Sequence, residues 1–378
     1  MLSFRFIIDN RYMNNNYYCV IMAGGVGSRF WPMSRANSPK QFIDILGLGQ
    51  TFIQMTYNRF KTIIPSENIL VVTSERYFDL VHEQLPELPV ENILMEPYKR
   101  NTAPCIAYAT YKLYAQNPDA TVVVAPADHL ITGEVNFQNT ILTALGEASA
   151  SDKLFTIGIQ PTRPETNYGY IQANKKVSKD VDGRVSYQVK TFTEKPNAEL
   201  AQVFLDTGEF FWNSGIFIWN VRAIKAELER CLPEVTSLFD GGEIYYNTTA
   251  EQDFILRVYE DCPSISIDYG VMEKTDKAWL FLSNFGWSDV GTWGSIYERS
   301  PHKSEQGNVI KCGVSMIDDV KGSIIETKNP SKLVVVRGMD NVMVIDMDDV
   351  LLVCPRDDQS IKDIVTDLAM KEKAEKYL

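Results

Sequence analysis

The chain has 378 residues, 45% of them hydrophobic and 23% charged, with a formal net charge of −12. This composition suits a globular protein with a large core and excludes a disordered chain. The acidic balance lacks the basic footprint of a general nucleic-acid binder, so any anion must be met by a local cluster of cations.

Residues 1–16 hold too short an apolar stretch for a signal peptide and read as an N-terminal extension, with translation from Met13 as the expectation. The run YYCVIMA (17–23) is short, apolar and closed by glycines, which predicts a buried strand. Similar runs at 69–75, 92–97, 121–129 and 154–160 predict further strands, and the segments 51–63, 75–85, 102–116 and 134–150 read as helices. Alternation of this kind gives βαβ units and a mainly parallel sheet covered on both faces: an α/β, Rossmann-like fold. Ligands on such sheets bind beyond the carboxyl ends of strands. Beyond residue 160, strands are expected at 168–174, 187–195, 210–220 and 264–272, helices near 197–207 and 222–230, and a polar, helical insertion at 236–262.

From residue 301 the character changes. The apolar runs Ser323–Thr327, Leu333–Arg337, Val342–Met347 and Val350–Pro355 start 8–10 residues apart, with turn sequences between them. That period predicts a small β-helix-like domain, 301–378, ending in an amphipathic helix over 359–377. The expected organisation is therefore 1–16, 17–300 and 301–378. The six cysteines form no CxxC pair and read as reduced core residues, which points to the cytoplasm. The three histidines are too few for a His-rich metal site. No run approaches the ~18 apolar residues of a membrane span.

The loop after the first strand, GGVGSRFWPMSRANSPK (24–40), carries the chemistry. Its glycines let backbone N–H groups approach a phosphate, and Arg29, Arg35 and Lys40 supply positive charge. No acidic residue occurs between Tyr17 and Ile43. The pattern fits neither a dinucleotide G-x-G-x-x-G loop, because Trp31-Pro32 interrupts the helix start, nor a G-x-x-x-x-G-K-[ST] loop. Asp128 at the end of APADH, and Asp289 in WSDVGTW, read as helix caps. Glu96 reads as a partner of Arg100.

The run GGVGSRFWPMSRANSPKQF resembles the signature of the sugar-nucleotide pyrophosphorylases. Its SR…PKQF part is similar to the branch that uses GTP. Further segments match the same family in order: EPYKRNTAPCIA (96–107), APADH (125–129), YGYI (168–171), FTEKP (192–196), FWNSGIF (211–217), IDYGVMEK (267–274) and WSDVGTW (287–293). The resemblance spans roughly 17–355. It implies a nucleotidyltransferase catalytic domain over 17–300 and a small C-terminal β-domain. It implies transfer of GMP from GTP to α-D-mannose 1-phosphate, giving GDP-mannose and pyrophosphate. The alternatives are uridylyl or thymidylyl transfer, or a non-catalytic nucleotide-sugar binder. By resemblance, Arg29, Lys40 and Lys195 are catalytic. Gly24, Gly25, Gly27, Arg29, Glu96, Asn101 and Thr102 bind the nucleotide. Gly169, Glu194, Lys195 and Asn213 bind the sugar phosphate, and Asp128 and Asp289 hold Mg²⁺. Some relatives carry a further C-terminal isomerase domain; the expectation here is one activity. Partners are GTP and mannose 1-phosphate, with no nucleic acid or membrane, and a homodimer is an allowed assembly.

Overall fold

The computed structural model describes residues 14–181, 183–358, 360–372 and 374–378. The expected extension 1–16 lies almost wholly outside the described residues. The chain forms two compact units, each discontinuous in sequence. The larger holds the described residues up to Gly24 with Gln54–Ala127 and Ile131–Trp287; the smaller holds Gly25–Ile53, Asp128–Leu130 and Ser288–Leu378. A boundary at residue 300 follows the chain, whereas these units exchange segments, and the glycine-rich loop belongs with the C-terminal residues. The reason is local to the smaller unit. Arg35 forms a two-pronged ion pair with Asp349, and the Trp31 indole N–H donates to the Tyr377 carbonyl at 2.7 Å. The Phe30 ring packs edge-on against Trp293.

The larger unit is built on one sheet of nine strands: β1 (Tyr17–Met22), β2 (Ile69–Ser74), β3 (Ile93–Glu96), β4 (Thr121–Pro126), β5 (Leu154–Ile159), β6 (Tyr170–Val181), β7 (Arg184–Thr193), β8 (Phe210–Asn220) and β9 (Ala278–Ser283). Their order is β3-β2-β1-β4-β8-β5-β9-β7-β6. β1, β2, β3 and β4 pair in parallel, as do β5 and β9. Only β7 and β8 run against the other strands, so the sheet is mostly parallel. Continuous Val, Ile and Leu runs are buried on both faces in β1, β2 and β4, as a helix-covered parallel sheet requires.

The longer helices in chain order are α1 (Phe52–Lys61), α2 (Phe78–Gln84), α3 (Thr102–Gln116), α4 (Glu134–Ser149), α5 (Ala198–Thr207), α6 (Val221–Cys231) and α7 (Glu251–Asp261). α3 is buried from Ala103 to Leu113, where Ala, Cys and Ile face the sheet. A further pairing of β6 with β8 closes β5, β6, β7, β8 and β9 into a ring, lined by Ile171, Ala173, Phe211 and Leu280. Gly158 in β5 is required there, because a Cβ would stand 2.6 Å from Leu280 Cδ1.

One expected strand is not formed. Within 264–272, residues Asp268–Met272 make a π-helical turn instead. Ile265, Ile267 and Val271 alternate as in a strand, but Val271 and Met272 are both buried and Gly270 N–H bonds back to the Ser266 carbonyl.

In the smaller unit the chain alternates between two short sheets. β10 (Val309–Lys311), β12 (Ile324–Thr327) and β14 (Val342–Asp346) pair in parallel, with β15 (Leu351–Pro355) antiparallel on β14. β11 (Val314–Lys321) and β13 (Leu333–Asp340) pair in parallel in the second sheet. Stacking of successive turns explains the period read in the sequence. The unit also holds α8 (Trp293–Arg299) and α9 (Ile361–Ala369). The expected helix over 359–377 is shorter, ending at Ala369 and followed by a 3₁₀ turn at Glu375–Tyr377. Among the described residues no helix is long and apolar enough to cross a membrane.

Candidate functional site

The glycine-rich loop is held from beneath in the smaller unit. The carbonyl of Gly25 accepts from the Gln41 side chain, that of Val26 from the Lys40 N–H, and that of Gly27 from the Ser34 hydroxyl. Gln41, Lys40 and Ser34 are all buried. With its carbonyls occupied, the loop turns its amides the other way. Among the described residues, the N–H groups of Gly25, Val26, Gly27 and Ser28 donate to no protein acceptor. Consecutive free amides form a nest for an anion. Gly27 must be glycine twice over: its φ is 74°, and a Cβ would lie 2.4 Å from Lys40 Cβ. A Cβ at Gly25 would meet nothing within 4 Å, so the space above it is open. Arg29, partly exposed, sits in the single 3₁₀ turn Ser28–Phe30 that follows.

Lys40 is 3% exposed and lies against the Phe30 and Phe52 rings. Its ammonium, which has three donors, bonds the Asp128 carboxylate at 2.9 Å, the Asp128 carbonyl at 3.1 Å and the Asp289 carbonyl at 2.7 Å. One buried cation thus ties together the loops that carry the two aspartates. Burial pushes the Asp128 carboxyl up, but the Lys40 and His129 charges and the Lys40 hydrogen bond outweigh it and hold the group below the usual carboxylate range. His129 Nε2 stands 3.9 Å from Asp128 Oδ1.

The helix-cap readings fall away. α8 is capped by Thr292 in a reciprocal pair with Ser295, and Gly133 precedes α4. Asp289 Oδ1 instead accepts the Gly291 N–H, closing a turn through Val290, a β-branched residue held at φ 44°. Such strain is sustained where the surroundings demand one conformation. Among the described residues no cluster of three or more His, Cys, Asp or Glu is placed to hold a metal. Two carboxylate loops fastened to one point suit Mg²⁺, which commonly takes one or two carboxylates and completes its shell with phosphate and water.

In the larger unit Glu96 ends β3, is buried, and accepts from the Tyr259 hydroxyl at 2.9 Å. Its other oxygen faces Gly24, where a Cβ would lie 3.4 Å away. Arg100 is not its partner; Arg100 donates to the carbonyls of Tyr259 and Glu260. Asn101, at φ 69°, caps α3 by accepting the Thr102 N–H, and the Thr102 hydroxyl accepts the Ile267 N–H. Asn101 thus caps α3, and Thr102 fastens it to the segment around Ile267.

Burial pushes the Glu96 carboxyl up to about 7, against the Tyr259 hydrogen bond, which lowers it. The folded value lies above the unfolded one, ~4.3. The folded state therefore keeps a proton that the unfolded chain releases, and the resulting stability is full at low pH and lost as pH rises through 7. Glu96→Gln is neutral throughout. Its stability relative to the parent should rise between pH 4.5 and 7.5 by up to about 3 kcal/mol, read from denaturant titrations. A difference that does not vary with pH would refute the shift.

The residues expected to bind sugar phosphate are brought together in the same unit. Gly169 lies under Glu194, with Oε2 only 2.5 Å from where a Cβ would be, and its carbonyl accepts the Asn213 N–H. Lys195, at φ 48°, pairs with Glu194. Sequence reasoning missed Asp268, which accepts from Asn213 Nδ2 at 2.8 Å. Its only signal was the motif IDYGVMEK, whose acid carried no role. Phe211 and Trp212 are core residues.

The nucleotidyl transferase family matches residues 18–306. A mannose-1-phosphate guanylyltransferase of Escherichia coli is 38% identical, over 94% of this chain and 76% of the relative. One from Sinorhizobium fredii is also 38% identical, over 88% of this chain and 64% of the relative. A solved structure from Thermus thermophilus, described as a mannose-1-phosphate geranyltransferase, superposes with a TM-score of 0.79 at 28% identity, covering 94% of this chain and 99% of that one.

Proposed function

The chain belongs to the nucleotidyl transferase family, and from that premise we propose that it transfers GMP from GTP to α-D-mannose 1-phosphate, giving GDP-mannose and pyrophosphate. The observation that carries this reading is the row of free amides at Gly25–Ser28 beside Arg29, a receptor for the phosphates of a nucleotide. The sugar-phosphate oxygen attacks the α-phosphorus in line as the bond to the bridging α–β oxygen breaks, and pyrophosphate leaves. The nucleophile needs no general base, because the second pKa of a phosphate monoester is about 6.

The obstacle is charge. Unit charges of one sign ~4 Å apart repel by about 4 kcal/mol at an effective dielectric of 20. On the smaller unit, the loop amides and Arg29 oppose that repulsion on the triphosphate and on the departing pyrophosphate. Asp128 and Asp289 would hold Mg²⁺, which supplies further neutralisation of phosphate charge. Lys40 acts indirectly. Its three donors are taken, so it is a positioning residue that sets Asp128 and the Asp289 loop. On the larger unit, Glu96 accepts the guanine N–H donors, with Gly24 giving the clearance; Asn101 and Thr102 serve by holding the start of α3. Lys195 meets the sugar phosphate, and Gly169, Glu194 and Asn213 frame the hexose. Six unpaired cysteines favour a cytoplasmic site of action.

The test is pyrophosphate release across a matrix of nucleoside triphosphates and sugar 1-phosphates. GTP with mannose 1-phosphate should give the highest kcat/KM. A higher value for UTP or dTTP with any sugar would move the assignment to a uridylyl or thymidylyl transferase.

A further inference from the structure

The scheme above gives no part to α7, the helix of the polar insertion. Yet α7 is fastened to the strand and the helix that flank Glu96. Gln252 Nε2 donates to the Met95 carbonyl at 3.1 Å. Glu251 accepts from the Tyr108 hydroxyl at 2.7 Å and from Lys112 Nζ at 2.7 and 2.8 Å. Near the other end, Arg100 donates to the carbonyls of Tyr259 and Glu260. Tyr259 is thereby fixed from two sides, fully buried, at the end of β3. Its hydroxyl donates to Glu96 Oε1 at 2.9 Å. Among the described residues no other group donates to that carboxylate. A buried carboxylate with a single hydrogen bond is costly to a fold, and groups held in this state cluster where chemistry or binding needs them. The second oxygen, Oε2, faces Gly24.

We propose that Tyr259 is a positioning residue for base selection: its hydroxyl orients the Glu96 carboxylate and keeps it an acceptor, so that Oε2 is presented to guanine. The inference rests on reading Glu96 as the guanine acceptor. An ionised carboxylate offers acceptors only, whereas the protonated group carries a donor. Guanine has donors at N1 and N2 and needs the ionised form. Burial pushes Glu96 up to about 7, and the Tyr259 bond opposes that rise. The other titratable groups facing Glu96 are Cys105 and Tyr108 on α3 and Cys262 just beyond α7, all pushed up by burial and so neutral. None is a cation, which leaves the Tyr259 hydroxyl as the group that favours the charged form.

The test is KM for GTP as a function of pH in the parent and in Tyr259→Phe. In the parent, KM should rise as pH falls through about 7, where Glu96 takes up its proton. Loss of the hydroxyl bond raises the Glu96 pKa further. The same rise in the variant should therefore lie about one pH unit to the alkaline side. At pH 7 this gives a KM for GTP about 5–10-fold higher, with KM for mannose 1-phosphate unchanged and kcat little affected. GTP itself titrates alike in both measurements, so the displacement belongs to the protein. Profiles that superpose, or that differ by one factor at every pH, would overturn the proposal and leave Tyr259 as a core contact. If the phenylalanine variant does not fold, Tyr259→Met carries the same comparison. Glu96→Gln, measured alongside, separates the two readings: a parental KM for GTP in that variant would instead overturn the role of Glu96 itself.

Discussion

Replacing Lys40 with methionine is expected to lower kcat about 10²–10⁴-fold with a smaller effect on either KM. The methionine fills the space against Phe30 and Phe52 but offers nothing to the Asp128 carboxylate or to the Asp128 and Asp289 carbonyls. Both aspartate loops then lose their common anchor, and Val290 loses the surroundings that hold its strained conformation. The stability cost should be modest, about 1–3 kcal/mol, because the Asp128 side chain is 36% exposed and water can replace part of the lost bonding. Lys40→Arg should not rescue turnover. A planar guanidinium cannot direct three donors from one nitrogen onto these oxygens. Steady-state kinetics beside a melting curve decide the matter. A well-folded Lys40→Met with parental kcat would show that the strut is dispensable.

The second large effect concerns the aspartates themselves. Asp128→Asn and Asp289→Asn should fold normally, and each should lose about 10²–10³-fold in kcat. The double variant should be little worse than either single, since two residues serving one function do not add. Each single variant should also need more Mg²⁺ for half-maximal rate. If the two losses multiply in the double variant, the residues act independently and no shared ion links them. Near-parental turnover in either single variant at saturating Mg²⁺ removes that residue from the site.

What the sequence disclosed follows from the range of the interactions involved. The strands β1–β5 were legible because each is a continuous apolar run bounded by turns, and a strand buried on both faces leaves that mark on the chain. The period of 8–10 residues after Ser323 likewise records the stacking of the small parallel strands. The pairing of β6 with β8 was not legible, since Tyr170–Gln172 meets Phe210–Trp212 through long-range register alone. Nor was the membership of the glycine-rich loop in the smaller unit. Arg35 appears in the sequence as a cation available to phosphate, but its guanidinium is committed to Asp349. The same limit applies at the candidate site. Spacing identified Lys40 as a cation and Asp128 as an acid without showing that they bond each other. Asn101 and Thr102 were visible as a motif, whereas the tie of Thr102 to Ile267 joins segments remote in sequence. Asp268 was visible only as the acid of IDYGVMEK, and its hydrogen bond to Asn213 joins segments remote in sequence.

GMP is expected to pass directly from GTP to mannose 1-phosphate, with positioning and charge in place of a protein nucleophile. Exchange of labelled pyrophosphate into GTP tests it most directly. With enzyme, Mg²⁺, GTP and labelled pyrophosphate alone, no label should enter GTP, because no guanylyl-enzyme forms. Adding GDP-mannose should start the exchange at once, since pyrophosphate then attacks it to give labelled GTP and mannose 1-phosphate. Exchange in the absence of GDP-mannose, or none in its presence, would contradict the account.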